Sequence, residues 1–281
     1  MRLKRVLKKM MFNKKVKKIS VPILIGNLLK DKIVLIVGGT SGIGNAIAKI
    51  FLDNGATVII SGRNKKNLID TKNKLINSGY KEENIFIHEM NVCIVNKINE
   101  NINSIEKMIN NRKIDIVIDS AGVSGGNIIG ATVEKDYDQI LNTNLKGTYF
   151  LLQEISNYFI KNNIEGKIIV ISSVSGQRPA ISPYMISKWG INGLIKGLAK
   201  KYAEKNIIIN GIAPGPTITN MIKHEKENLY YDKSPVKRFC DPIEIANLAL
   251  FLASDFSKMI IGEIINISGG CGTLTFDDIE Y

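Results

Sequence analysis

Cysteine and histidine are scarce in this chain, which holds three cysteines and two histidines among 281 residues. The cysteines lie far apart and in none of the paired spacings typical of zinc or redox sites, so we predict free thiols and no metal site. Two histidines also give little material for a hydrolase with a histidine base or for a multi-histidine metal centre. The chain has no apolar run of 18 or more residues, which argues against a membrane-spanning helix.

Acidic residues are almost absent from the start of the chain. Residues 1–32 carry eleven Lys and Arg residues but only one acid, Asp31, so most of the net charge of +12 lies there. The rest of the chain is nearly neutral, and we therefore predict no nucleic-acid partner. We interpret residues 1–31 as a basic extension, in which residues 1–19 have the apolar spacing of an amphipathic helix.

Three interpretations of this extension remain open: an exposed tail, a helix that binds a membrane surface or a partner, and a targeting presequence. No apolar signal-peptide core follows residues 1–19, which argues against secretion. We expect a cytoplasmic protein, with peripheral contact at a membrane surface through residues 1–19 as an alternative.

From Lys32 onward, apolar β-branched runs alternate with longer stretches of helical periodicity. This alternation is typical of a parallel sheet covered by helices on both faces. We predict one α/β domain over residues 32–270, a doubly wound (Rossmann) sheet of about seven strands, and a C-terminal tail over residues 271–281. The predicted strands are 33–38, 57–61, 84–88, 114–119, 167–172, 207–211 and 263–267. Helices are predicted near 43–54, 65–78, 94–111, 133–162, 183–205 and 242–254.

The first predicted strand leads directly into a glycine-rich turn that is followed by a helix. A pyrophosphate needs backbone N–H groups at close range and a helix N-terminus directed at it, and Gly38, Gly42 and Gly44 permit both. The second strand ends at Gly62 and Arg63, without the acid that usually binds the ribose 2′-hydroxyl of NAD. Because a guanidinium suits a 2′-phosphate, we favour NADP(H) over NAD(H). The alternative is that Arg63 is a solvated loop charge.

Tyr184 is the one tyrosine of nine that has a lysine four residues later on a predicted helix. This spacing puts Tyr184 and Lys188 on the same helical face. A fixed ammonium favours the phenolate, which would make Tyr184 a usable general acid or base, although a surface contact could have the same spacing. Upstream, the fifth strand ends beside Ser173, whose hydroxyl we expect to face the ligand crevice.

Taken in order, these motifs resemble the short, single-domain type of short-chain dehydrogenase/reductase over residues 32–270. The glycine turn, the Tyr-x-x-x-Lys pair, Ser173, and Asn144 in Asn-Thr-Asn-Leu-Lys-Gly all match the family pattern, as do the Pro214-Gly215 loop and the closing Ser-Gly-Gly. The resemblance implies an NADP(H)-dependent oxidoreductase acting on a small carbonyl or alcohol substrate.

The resemblance also implies a role for each catalytic residue. Tyr184 would transfer the proton to or from the substrate oxygen, to which Ser173 would hydrogen-bond. Lys188 would hold the nicotinamide ribose and lower the pKa of Tyr184, and Asn144 would help to anchor a water in a proton relay. The implied cofactor-binding residues are Gly38, Thr40, Ser41, Gly42, Ile43, Gly44, Arg63, Asn91, Val92, Ala121, Gly122, Tyr184, Lys188, Pro214, Gly215, Thr217 and Thr219.

Two further expectations follow from the same resemblance. The family favours a homodimer or homotetramer built on the long helices near 133–162 and 183–205. The substrate stays open between a β-ketoacyl-type carbonyl and a sugar or polyol. The alternative from a different class is a catalytically silent dinucleotide-binding regulator or scaffold, which we would expect to have lost Tyr184 or Lys188.

The chain departs from the family pattern at several positions. Val37 replaces a threonine before the glycine turn, and Asn91 stands where the family has an adenine-contacting aspartate. Asp119 and Ser120 replace the two asparagines of Asn-Asn-Ala-Gly. Ser173 and Tyr184 are eleven residues apart, two fewer than is commonest, so we expect a tighter loop there and an altered pocket rim.

Overall fold

A parallel β-sheet forms the centre of the protein. The computed structural model describes residues 26–125, 127–219, 231 and 233–275. Over these residues the sheet has seven strands in the order β3-β2-β1-β4-β5-β6-β7, and every neighbouring pair is parallel. The strands are β1 (Ile33–Val37), β2 (Thr57–Gly62), β3 (Ile85–Glu89), β4 (Ile116–Asp119), β5 (Lys167–Ile171), β6 (Ile208–Pro214) and β7 (Ile264–Ile267).

Helices connect the strands and cover both faces of the sheet. In the described ranges the α-helices are α1 (Gly42–Asp53), α2 (Lys65–Asn77), α3 (Ile98–Met108), α4 (Glu134–Leu141), α5 (Thr148–Lys161), α6 (Pro183–Tyr202) and α7 (Pro242–Ala253). A π-helical turn, Asn142–Gly147, joins α4 to α5.

The two faces of the sheet carry separate hydrophobic cores, which explains why the strands are apolar at nearly every position. In β1, Leu35 packs on the side of α3, α5 and α6, whereas Ile36 packs on the side of α1, α2 and α7. All five residues of β1 are buried. Because alternate side chains of a strand point to opposite faces, a strand covered on both sides needs a continuous apolar run.

The predicted fold is confirmed, with differences at the ends of elements. Each strand begins and ends within three residues of its predicted bounds. The single helix predicted over 133–162 was wrong in one respect, because the π-helical turn divides it into α4 and α5. A π turn takes in an extra residue, which a 3.6-residue periodicity does not reveal.

The predicted domain bounds stay a prediction. Leu29, in the predicted extension, and Cys271, in the predicted tail, are both buried. The amphipathic helix predicted over residues 1–19 lies outside the described residues, so its contact with a membrane surface or a partner also stays a prediction. Among the helices that are described, none combines the length and the hydropathy needed to cross a bilayer.

Candidate active site

A cleft of about 690 Å³ runs along the carboxyl ends of the strands and takes in the junction between β1 and β4. The junction is where the strand order reverses, which is the usual place for a ligand in a doubly wound sheet. Most of the predicted site residues line this cleft: Gly38, Thr40, Ser41, Gly42, Ile43, Arg63, Val92, Ala121, Gly122, Ser173, Tyr184, Lys188, Pro214, Gly215, Thr217 and Thr219. Gly44, Asn91 and Asn144 are not part of its wall.

The glycine-rich turn brings the backbone of β1 against that of the loop after β4. Gly38 has φ +82°, and a Cβ added there would lie 2.7 Å from the backbone of Ser120 and Ala121. A Cβ on Gly44 would lie 2.4 Å from the carbonyl oxygen of Gly38, so Gly44 makes the close packing of the helix on the turn possible. Although Gly44 does not line the cleft, it holds the shape of the turn.

The N-terminus of α1 opens on this turn. Ser41 is the N-cap residue, and its side chain makes no capping hydrogen bond. The first N–H groups of a helix have no intrahelical acceptor, so those of α1 suit a bound phosphate. Arg63, exposed at the end of β2, lies along the same cleft.

Asn91 is next in the chain to Val92, a residue of the cleft wall. Its side-chain Oδ1 accepts a hydrogen bond from the Cys93 N–H at 3.1 Å and so fixes the turn after β3. That turn carries Val92, which does line the cleft. Asn91 therefore shapes the cleft through its neighbour.

Ser173, Tyr184 and Lys188 meet in the wall of the cleft. Ser173 is the second residue after β5, and Tyr184 lies in the first turn of α6. Ser182 caps this helix, since its hydroxyl accepts a hydrogen bond from the Met185 N–H at 3.3 Å. A side-chain hydrogen bond joins Ser173 to Tyr184. Lys188 Nζ donates to the Ile171 carbonyl at 2.9 Å and lies 5.7 Å from the centre of the Tyr184 ring.

Burial controls the electrostatics of this group. It raises the pKa of Tyr184, and the hydrogen bond with Ser173 and the positive charge of Arg178 oppose that rise. It also lowers the pKa of Lys188 to about 8, against the attraction of Asp119. The sequence suggested that Lys188 lowers the pKa of Tyr184. In the structure Ser173 and Arg178 lower it, and the effect of Lys188, whose Nζ lies 5.7 Å from the ring centre, stays a prediction.

Asn144 lies in the π-helical turn and is fully buried. Its Oδ1 accepts from the Val123 N–H at 2.8 Å, and its Nδ2 donates to the Val123 carbonyl at 2.9 Å and to Ser187 Oγ at 3.3 Å. Both ends of the amide are therefore engaged, and they hold Val123, a cleft residue, close to α6. The role in a water relay stays a prediction.

Sequence reasoning missed roughly half of the cleft wall. The most informative omission is Arg178, a cation with 5% exposure whose Nη2 donates to Ser175 Oγ at 3.3 Å. It lies in the short loop between Ser173 and Tyr184, so the shortened spacing was the available signal. The other wall residues missed are Val37, Gly62, Met90, Ser120, Val123, Ser124, Thr143, Ile171, Ser172, Val174, Ser175, Pro216, Tyr231 and Phe239.

In the described part of the chain no three His, Cys, Asp or Glu side chains are grouped to hold a metal ion.

Comparison with known proteins gives consistent relatives. A family profile described as enoyl-(acyl carrier protein) reductase matches residues 37–272. The 3-oxoacyl-[acyl-carrier-protein] reductase FabG of Aquifex aeolicus is 33% identical over 86% of this chain and 98% of its own length.

Two solved structures extend this likeness. ElxO with NADP bound is 31% identical, with a TM-score of 0.75 over 85% of this chain and 98% of that one. A gluconate 5-dehydrogenase from Burkholderia cenocepacia, in complex with NADP and tartrate, is 25% identical, with a TM-score of 0.80 over 89% of this chain and 99% of that one. With its fold, its cleft and these relatives together, the chain belongs to the short-chain dehydrogenase/reductase family of NAD(P)-dependent oxidoreductases.

Proposed function

We propose that this protein is an NADP(H)-dependent reductase of a 3-oxoacyl-type carbonyl, with Tyr184 as its general acid. In the reverse direction it would oxidise the corresponding secondary alcohol, with Tyr184 as general base. The observation that carries this proposal is the meeting of Ser173, Tyr184 and Lys188 in the wall of a cleft that the glycine-rich turn also lines. The relative from Aquifex aeolicus, named as a 3-oxoacyl reductase, supports the substrate class.

The residues present fit a dinucleotide. The tight approach at Gly38 and the uncapped N-terminus of α1 would hold the pyrophosphate, and Arg63 would bind the 2′-phosphate. A volume of about 690 Å³ lies within the range of small-molecule sites. When bound, NADP(H) supplies the hydride for reduction and accepts it in oxidation.

Residues of the chain would donate the proton to the substrate oxygen and stabilise the charge that this leaves behind. In reduction, the Tyr184 hydroxyl donates its proton to the substrate oxygen, while Ser173 donates a hydrogen bond to the same oxygen. Lys188, as an ammonium, stabilises the negative charge left on Tyr184. Asn144 keeps the Val123 segment in place at the cleft wall, so that the substrate carbon is held in one position.

A hydroxy acid or sugar acid is the second candidate substrate. Arg178 places a positive charge in the cleft wall close enough to Tyr184 to lower its pKa, and a guanidinium suits a carboxylate. The solved gluconate 5-dehydrogenase with NADP and tartrate supports this alternative. The enoyl description of the family profile adds a third acceptor to test, a carbon–carbon double bond.

The test is steady-state turnover by the purified full-length chain. NADPH consumption is measured with a 3-oxoacyl thioester and an enoyl thioester, and NADP⁺ reduction with gluconate. We expect turnover of the 3-oxoacyl thioester and a loss of at least about 100-fold in kcat for Tyr184→Phe, since general acid catalysis commonly supplies that much. Tyr202→Phe is the matched control, because Tyr202 is a buried tyrosine at the far end of the same helix.

Other results would change the assignment. Full turnover by Tyr184→Phe would refute the proposed mechanism. A preference for gluconate or for the enoyl thioester would move the substrate to that class. Binding of NADPH without turnover of any substrate in the panel would favour the silent regulator or scaffold.

A further inference from the structure

A buried carboxyl group lies next to the proposed proton-transfer residues and has no part in the mechanism above. Asp119 is the last residue of β4, and its side chain is 2% exposed. Its Oδ1 accepts a hydrogen bond from the Ala121 N–H at 3.1 Å, and its Oδ2 contacts the Thr148 hydroxyl at 2.7 Å. Because a backbone N–H can only donate and the Thr148 hydroxyl is free to donate, this setting suits an ionised carboxylate.

The ammonium of Lys188 lies on the same side of the sheet end as this carboxylate. Asp119 pairs with Val170 on β5, and Lys188 Nζ binds the carbonyl of the next residue, Ile171. A Cβ added to Gly122, in the loop that Asp119 binds, would lie 3.9 Å from Lys188 Nζ. Lys188 is 5% exposed, lines the cleft, and donates to the Ile171 carbonyl at 2.9 Å.

A buried ammonium held by a neutral carbonyl tends to lose its proton, because burial disfavours the charged form. The negative charge of Asp119 opposes that loss. Burial raises the pKa of the Asp119 carboxyl, and the hydrogen bonds from Thr148 and Ala121 together with the charge of Lys188 oppose that rise.

We propose that Asp119 is a positioning residue whose carboxylate keeps Lys188 charged and in place beside Tyr184. This inference rests on the proposed function, because it gives a reason for Lys188 to stay protonated where the mechanism needs an ammonium. The family pattern has asparagine at this position, which carries no charge. The chain thus has an internal counter-ion under its cleft that the pattern lacks.

The groups that face this pair come from four elements. Asp119 meets Thr148 on α5, the Ala121 N–H in the loop after β4, and the charge of Lys188 on α6. Lys188 meets Asp119, the ring of Tyr184, and the Ile171 carbonyl at the end of β5. Of these, Asp119, Tyr184 and Lys188 can titrate.

Asp119→Asn isolates the charge. The asparagine Oδ1 can still accept from Ala121, and its Nδ2 can donate to the Thr148 oxygen, which is able to accept. NADPH binding is measured by cofactor fluorescence from neutral to alkaline pH, and it should weaken as the pH rises and Lys188 loses its proton. We expect this loss of binding to begin at a lower pH in Asp119→Asn than in the wild type. The physical reason is that a cation in the wall of the cleft favours a polyanionic dinucleotide only while it keeps its proton. The alkaline limb of kcat for reduction should move in the same direction.

Thr148→Val is the matched control, since it removes a hydrogen bond to Asp119 and leaves the charge of that residue. We expect the alkaline limbs of NADPH binding and kcat in Thr148→Val to lie close to those of the wild type, and the limbs of Asp119→Asn to lie further away. The proposal would be overturned if the alkaline limbs of NADPH binding and kcat in Asp119→Asn coincided with those of the wild type. It would also be overturned if binding and kcat fell by the same factor at every pH, which is what a merely structural role predicts.

Two further results separate this inference from its foundation. If Asp119→Asn does not fold, Asp119→Ser is measured in the same way, and failure of both to fold would assign Asp119 to the fold alone and contradict the proposal. If Tyr184→Phe keeps full turnover while the binding limb still moves in Asp119→Asn, the proposed mechanism fails and the link between Asp119 and Lys188 stands.

Discussion

Arg178 lies in the cleft wall, in the loop before α6, and its positive charge lowers the pKa of Tyr184. Its positive charge and the hydrogen bond from Ser173 both lower the pKa of Tyr184, against the effect of burial. Arg178 is held in place from two sides, since its Nη2 donates to Ser175 Oγ and its carbonyl accepts from Trp189 Nε1 at 2.7 Å. The loop after Ser173 thus brings a cation close to Tyr184, the proposed proton-transfer residue.

We expect Arg178→Gln to raise the pKa of Tyr184. Alcohol oxidation needs Tyr184 as a base, so its rate rises with pH as the phenol loses its proton, and this rise should occur at higher pH in the variant. The measurement is the pH profile of kcat/KM for oxidation with NADP⁺. Arg112→Gln, which removes the same charge from an exposed residue, is the control. A rise at the wild-type pH in Arg178→Gln would show that Arg178 has no influence on Tyr184.

At the scale of residues, the sequence supports prediction of those side chains whose spacing is local. Tyr184 and Lys188 are one helical turn apart, and Gly38, Gly42 and Gly44 follow a strand directly, so their neighbourhood can be inferred from the chain itself. In the sequence, Asp119 is marked only by its departure from the family pattern. Its effect on Lys188 depends on two strands and a helix packing together, which spacing along the chain does not express.

Helix α6 carries the proposed catalytic pair, Tyr184 and Lys188, on its buried face and an exposed apolar stripe on the opposite face. Ile186 and Trp189 are 45% and 49% exposed, and a Cβ added at Gly193 or Gly197 would meet nothing within 4 Å. Spacings of three, four and four residues put these positions on one face of the helix. A flat apolar face of this kind is suited to close packing against a second helix.

We expect the chain to form a homodimer or homotetramer through this stripe. Gly193→Lys should give a protein of one chain mass, 31.1 kDa, by size-exclusion chromatography with light scattering. The reason is that a lysine charge would be buried in the contact, while the change favours the helix itself. Asn73→Lys, at an exposed position on α2, is the control. A wild-type monomer, or an oligomer unchanged by Gly193→Lys, would contradict this arrangement.

The π-helical turn shows where the prediction of elements from sequence ends. The apolar spacing across 133–162 predicts one helix, and residues 134–161 are indeed helical, except that Asn142–Gly147 widen into a π turn. That widening accompanies the inward position of Asn144, whose amide binds both backbone groups of Val123. The partner lies 21 residues away in another loop, so the local sequence carries no sign of it.

For the whole molecule, the alternation of apolar β-branched runs with helical stretches was enough to predict a doubly wound parallel sheet of about seven strands. A strand covered on both faces must be apolar throughout, and parallel neighbours need a crossover between them, so few topologies remain. The cleft was less predictable. Met90 and Phe239 line it from loops 149 residues apart, and neither stands in a pattern that marks a ligand site.

The transfer of deuterium from cofactor to product tests most directly whether this cleft brings a reduced dinucleotide and a carbonyl together. NADPH in which both hydrogens on the reactive carbon of the nicotinamide are deuterium is incubated with the full-length chain and a 3-oxoacyl thioester, and the product is examined by mass spectrometry. We expect one deuterium on the carbon that bears the new hydroxyl, and a rate of labelling at least about 100-fold lower with Tyr184→Phe. A product without deuterium on that carbon, or labelling at the wild-type rate by Tyr184→Phe, would contradict the assignment of hydride transfer and proton donation to this site.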